Sequence, residues 1–521
     1  MSKDMLVAVY RVQSRHPTKP ASGSQRNWLF LLLLLPILFY MSSANATTYS
    51  WKQSHKPYGP FSSPSQACDA HRDYLQSVSS TSIRFFSPSI SPQSEKIFNC
   101  LVKKSINGVP APSTGTVITR SGDSCLPGST YNPTTGECVE GEKGPPPSLG
   151  CAGNPINITN GNKFQVEADH FGSSAFPLDF ARTYNSLDGL WRHNYSTYIT
   201  TEKSINGVTA LLVMAHGRES LFTVNGSTST PISATELGRL SKLANNGWLY
   251  IAENSERFSF DAGGRLTQWS NNAGAQQQLV YANGQVTVTD NLGYSMSFTE
   301  DLFHQPLTLS AAGLTIKYDY NADNRLSRLT RTRGGQIEHR LFHYEDSRNS
   351  ALLTGITDER GVRYATWSYD DQGRATSSEH AGGVEHTDVA YNTDGSSTIT
   401  NELGKKSTYR FVTIDGVKRV SAIEGEALGS CPMSNSTFTY DARGLLKTKT
   451  DNKGHLTTYD YNTRGLEVAR TEAAGTPQAR TITTDWHPTL FLRTKVTEPT
   501  RITTYIYDGQ GRQLSQSVTQ R

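Results

Sequence analysis

The chain repeats one short phrase, and that repetition restricts its fold more than any other feature. An aromatic residue is followed by Asp or Asn, two free positions, Gly and often Arg, and then an apolar residue opening the next β-type run. Clear copies are Phe260-Asp-Ala-Gly-Gly-Arg-Leu, Tyr369-Asp370-Asp-Gln-Gly373-Arg374, Tyr440-Asp441-Ala-Arg-Gly444, Tyr461-Asn462-Thr-Arg-Gly465 and Tyr507-Asp508-Gly-Gln-Gly511-Arg512. Units beginning at Tyr320 and Tyr391 vary the phrase, and weaker copies begin at Tyr281 and Phe342. Gaps of roughly 20–29 residues are those of one supersecondary element in a larger array.

The chemistry of the phrase is readable. The Asp or Asn side chain bonds backbone two residues on and starts a turn, and the Gly supplies the positive φ that a tight turn requires. Alternation on either side, as in Val286-Thr-Val-Thr-Asp290, gives strands with one face to bury. Each unit is therefore expected to be a β-hairpin with its Tyr packed inward and its Thr, Lys and Arg facing out. A lone hairpin is marginal in water, so the hairpins must stack into a long sheet. On this reading the Tyr, Asp, Asn, Gly and Arg residues of the units build a wall and do not catalyse.

Composition agrees with a thin, turn-rich sheet. Hydrophobic residues make up 36% of 521, low for a deep core, whereas Gly (43) and Tyr (24) are plentiful. Lys+Arg 50 against Asp+Glu 46 leaves a net charge of +4, with no basic block for nucleic acid and no acidic tail.

Residues 1–46 read as an export signal: a polar, basic start, the uncharged run Trp28–Tyr40, and Ala44 and Ala46 at −3 and −1 of a cut after Ala46. An uncleaved anchor is the alternative, and the only membrane contact the sequence offers. Residues 47–110 read as a small cap with a helix starting near Ser65, and Cys68 and Cys100 are expected to bond in an exported context. Residues 111–150 read as a Pro/Gly-rich linker holding a loop closed by Cys125 and Cys138. Cys151 and Cys431 are left over, bonded to each other or free.

From Cys151 the character changes. Gly153-Asn-Pro-Ile-Asn157, Gly161-Asn-Lys163 and Pro177-Leu-Asp-Phe-Ala-Arg-Thr-Tyr-Asn-Ser186, followed by Tyr-Asp hairpins, resemble the opening domain and repeats of Rhs (rearrangement hotspot) or YD-repeat proteins. The resemblance covers about 151–521, with 151–225 as the opening domain and 226–521 as the repeats. It implies a mainly β fold, stacked antiparallel hairpins in a spiralling open sheet that forms part of a shell, attached to a small disulfide-tied N-terminal region. Relatives continue through more repeats to a boundary motif and a variable C-terminal toxin that the shell sequesters. Neither follows Arg521 here, so the resemblance implies a portion of the shell, partnered by a C-terminal toxin segment or a second shell chain. An incompletely closed sheet is expected to associate or to be poorly soluble.

Other chemistry is weakly encoded. Asp319-x-Asn-x-Asp323 opens like a calcium loop but has Asn324 and Thr330 where Gly and Glu belong, and reads as a turn. His339, His343 and Glu345 read as a solvated strand face, and Cys68 with His71 lacks further zinc-spaced ligands. The sequons at Asn157, Asn194, Asn225 and Asn435 matter only in a eukaryotic secretory path. No nucleophile elbow, zincin or P-loop pattern occurs. The expected function is an exported bacterial scaffold, in the periplasm, at the cell surface or secreted, without cofactor, metal or enzymatic activity. The alternative is a cell-surface carbohydrate-binding or adhesion module contacting glycan, and a toxin enzyme ranks last.

Overall fold

The computed structural model describes residues 50–521 apart from 62, 95, 123–124, 126–127, 148, 205–206, 234 and 427–434. The apolar leader, the cut after Ala46 and Cys431 lie outside the described residues, as does the side chain of Cys151.

The N-terminal cap is a five-stranded antiparallel sheet under one helix. Ser50–Gln53, Val109–Ser121, Ile97–Ile106 and Ile83–Phe85 pair in that order, and Ser89–Ser94 also pairs with Ile97–Ile106. The helix runs Pro64–Val78, with Pro64 in its first turn, where a missing N–H costs nothing. Its cap is Ser63, whose side chain accepts from the Gln66 N–H, so the expected start at Ser65 lies inside the helix. The helix buries Ala67 and Cys68 against Trp51, Phe98, Cys100, Val102 and Ile118. Cys68 bonds Cys100, and Cys125 bonds Cys138. The strand Val109–Ser121 crosses the expected boundary at 110, because the Pro and Thr residues read there as linker alternate along an edge of paired backbone.

The expected hairpin array is present as a single sheet of 30 strands among the described residues, from Tyr198–Ser204 to Gln513–Gln520. Every strand pairs with the next in sequence, the topology that tight hairpin turns dictate. The sheet begins at Tyr198, within the segment expected to be the opening domain. Its late turns come back to its early strands: Arg239 Nη1 donates to the Thr489 carbonyl at 2.6 Å and Arg257 Nη2 to that of Gln510 at 3.1 Å. Such a return requires the sheet to coil.

The preceding segment supplies what the sheet wraps. Phe164–His170, Phe180–Asn185 and Leu190–His193 form a separate three-stranded antiparallel sheet. Its Phe180, Tyr184 and Trp191, with Tyr195 just after it, join one continuous core with repeat residues from Leu240 to Phe438. No helix among the described residues is long and apolar enough to cross a membrane.

Candidate functional site

The repeat turns do what their residues dictate. Asp370 Oδ1 accepts from the backbone N–H groups of Gln372 (3.0 Å) and Arg374 (2.9 Å), and Gly373 closes the turn at φ 76° with its N–H on the Asp370 carbonyl. Asp441, Asn462 and Asp508 cap their turns in the same way, with Gly444, Gly465 and Gly511 at φ 78°, 78° and 89°. In the Tyr320 unit Asn324 takes the glycine place at φ 58°, a region Asn tolerates.

In several units the aromatic reaches back to the unit before it, which the residue pattern did not foretell. The Tyr369 hydroxyl donates to the Leu353 carbonyl, Tyr391 to Ala375 and Tyr440 to Val420, each at 2.7 Å, and Tyr507 to Arg493 at 2.9 Å. The signal was there in the choice of Tyr over Phe. Arginine adds a second tie: Arg374 lies 4.2 Å over the Tyr391 ring of the next unit, and Arg443 Nη1 donates to the Asn462 carbonyl of the following turn. These four tyrosines, their hydroxyls occupied by backbone, are wall material.

The inner face is polar where it meets the opening segment. Along Phe164–His170 the buried residues are Phe164 and the polar Gln165, Glu167 and Asp169, continuing from Lys163, whereas Val166 is exposed. Alternation alone would turn these polar residues to water; here a second layer covers them. Glu167 accepts from Gln165 Nε2 (2.8 Å) and the Tyr364 hydroxyl (2.7 Å) and pairs with Arg340. Asp169 binds Arg182 Nη2 (2.9 Å) and the Tyr318 hydroxyl (2.8 Å). Burial alone would lower the Arg182 pKa, but the Asp169 charge and hydrogen bond outweigh it and raise it. Lys163 lies 4.3 Å over the Trp367 ring, and burial pulls its pKa well down, against the opposing pull of Glu167. Nearby, Tyr184 donates to the Ala351 carbonyl (2.7 Å) and accepts from the Leu353 N–H (2.9 Å). These bonds join the opening segment to the long sheet and hold the two layers together.

The residues tested for metals sit in ordinary contacts. Asn321 caps a turn through the N–H groups of Asp323 and Arg325. His339 bonds Thr330 and His343 bonds Thr357, each across neighbouring strands.

A sequentially ordered sheet of hairpins, tied unit to unit and wound on the segment before it, defines a repeat-built structural wall. Residues 440–477 match the model of the RHS repeat, and residues 153–222 match a domain of unknown function, DUF6531. The chain therefore carries the RHS (YD) repeat. No curated protein matches it. Among solved structures, one of TcdB2-TccC3 is 11% identical, with 82% of this chain and 26% of that chain covered and a TM-score of 0.27. One of TcdB2-TccC3-TEV is 11% identical, covering 87% and 28% at a TM-score of 0.32. A porin-like protein from Bacteroides uniformis is 12% identical, covering 63% and 96% at a TM-score of 0.12. The chain spans about a quarter of the length of the TcdB2-TccC3 chains. The assignment of the repeat rests on that match and on the turn geometry.

Proposed function

We propose that this chain is an exported, non-enzymatic section of an Rhs shell whose later strands enclose a C-terminal effector or meet a second shell chain. The observation that carries the proposal is a change along one sheet face. As far as Phe438 that face is filled by the opening segment. Cross-strand register carries the same face from Phe438 through Lys449 and Thr457 to Tyr459, Arg470 and Ile482. Further on it carries Val496, Thr503 and Val518. Ile482 and Thr503 on that face are still buried, at 8% and 7%, and the cover runs out at the last strand, where Val518 is 57% exposed. A mixed face that ends on an exposed valine of the last strand fits further protein of the same assembly. Export is supported by the leader and by two disulfides confined to the first 138 residues.

The test is to express the chain together with the reading frame that follows Arg521 in its gene and to treat it with protease. Protection of the downstream segment, relative to that segment alone, is the expected result. Equal digestion in both settings would remove the encapsulation reading and leave the wall.

A further inference from the structure

A small cavity lies where four parts of the chain converge: Lys96 and Arg120 from the cap sheet, Lys143 from the segment after the second disulfide, Arg192 from the opening segment, and Tyr198 from the first strand of the long sheet. Four of its lining side chains are cations, and the carboxylate among them, Glu219, is already shared. Glu219 Oε1 takes Lys143 Nζ (2.9 Å) and the Thr130 hydroxyl (2.7 Å), with the Tyr131 N–H beside it at 3.3 Å.

Arg192 is the group left over. It is 3% exposed, and its Nη2 donates to Asp188 Oδ2 at 2.9 Å. Asp188 also receives Lys143 Nζ at 3.0 Å. Arg192 Nη1 has no hydrogen-bond partner. A buried guanidinium N–H without an acceptor is costly, and charged donors are the costliest to leave so. The Arg120 guanidinium, 4% exposed, lies 4.0 Å over the Tyr131 ring, and adds a second buried cation to the same wall.

We infer that this cavity binds a single halide-sized anion, chloride in physiological media, accepted by Arg192 Nη1. Its volume of about 10 Å³ leaves room for one small sphere and excludes phosphate or a carboxylate. Water would fit by size, but a site walled by Lys96, Arg120, Lys143 and Arg192 favours an anion over a neutral molecule. The ion ties the cap, the opening segment and the start of the long sheet together at one point. Nothing in the wall's reading requires it.

The test uses the full chain. Melting midpoints are compared in chloride and in gluconate, an anion too large for the cavity, at matched ionic strength. The midpoint is expected to rise with chloride and to level off as the site fills. Arg192→Gln should lose that rise while Lys143 still holds Asp188. Should Arg192→Gln fail to fold, bromide-soaked crystals of the unaltered chain decide, with an anomalous peak expected beside Arg192 Nη1. Equal midpoints in the two salts, or a bromide map without that peak, overturns the proposal.

Discussion

Arg182 and Asp169 face each other across one hairpin of the opening segment with neither side chain reaching water, at 0% and 2% side-chain exposure. The long sheet anchors the pair as well: the Tyr318 hydroxyl donates to Asp169, and the Tyr318 and Phe342 rings, with Trp191 of the pair's own sheet, surround the guanidinium at 4.9–5.2 Å. A buried pair of this kind contributes little net stability over an apolar replacement, yet losing one partner strands a charge. Asp169→Asn is therefore expected to destabilise the chain by about 3–5 kcal/mol in denaturant unfolding. The double replacement Asp169→Leu with Arg182→Met should recover much of that loss. Equal losses in the single and double variants would mean that the pair is not what holds this layer.

The tyrosine ties predict a gradient along the sheet. Tyr369→Phe leaves the Leu353 carbonyl without its donor in a site where Tyr369 is 7% exposed, and should cost about 1–3 kcal/mol. Tyr507→Phe removes the same bond at the exposed end of the sheet, where water replaces the donor, and is expected to change stability by less than about 0.5 kcal/mol. Hydrogen exchange of the neighbouring amides reports both. A uniform response along the wall would contradict the role assigned to cover by the opening segment.

The division between what residues foretold and what they did not follows the range of the interactions. Asp370, Gly373 and Arg374 act within four positions of one another, so turn, hairpin and repeat could be read directly. Cys68–Cys100 and Cys125–Cys138 followed from spacing and compartment. The winding on the opening segment could not be read, because Asp169 meets Tyr318 and Glu167 meets Tyr364 across 149 and 197 residues. The polar alternation of Lys163, Gln165, Glu167 and Asp169 turns inward because a second layer covers it, which no local pattern encodes. At the cap, the strand Val109–Ser121 was hidden by its Pro residues, which are tolerated because their side of the ladder needs no donor.

The cap and the wall have separate cores, which makes the first disulfide a local brace. Cys68 and Cys100 close a loop of 32 residues' separation, worth about 3–4 kcal/mol in chain entropy. Reduction, or Cys68→Ser with Cys100→Ser, is expected to expose Trp51 and raise amide exchange in Pro64–Val78. Exchange in the strands from Leu314–Tyr320 to Lys406–Ile414 should stay unchanged. Loss of protection in both regions at once would show that the two cores unfold as one.

Acid should loosen the joint around Arg192 in two stages, through His216 and Asp188. Burial lowers the half-buried His216 imidazole from 6.5 to about 4, with the Arg218 and Arg192 cations adding to the effect. Burial alone would raise the Asp188 carboxyl, but Arg192 and Lys143 outweigh it and bring it from 3.8 to about 2. In both cases the unfolded chain binds a proton at a pH where the folded chain does not. Stability therefore rises with pH across each window, and acidification removes it, first between about 6.5 and 4 and then between about 3.8 and 2. Urea midpoints measured against pH should fall through the upper window, and His216→Gln should make that slope shallower while leaving the lower one in place. A variant whose upper slope matches the unaltered chain would show that His216 stays as ready to take a proton in the folded state as in the unfolded one.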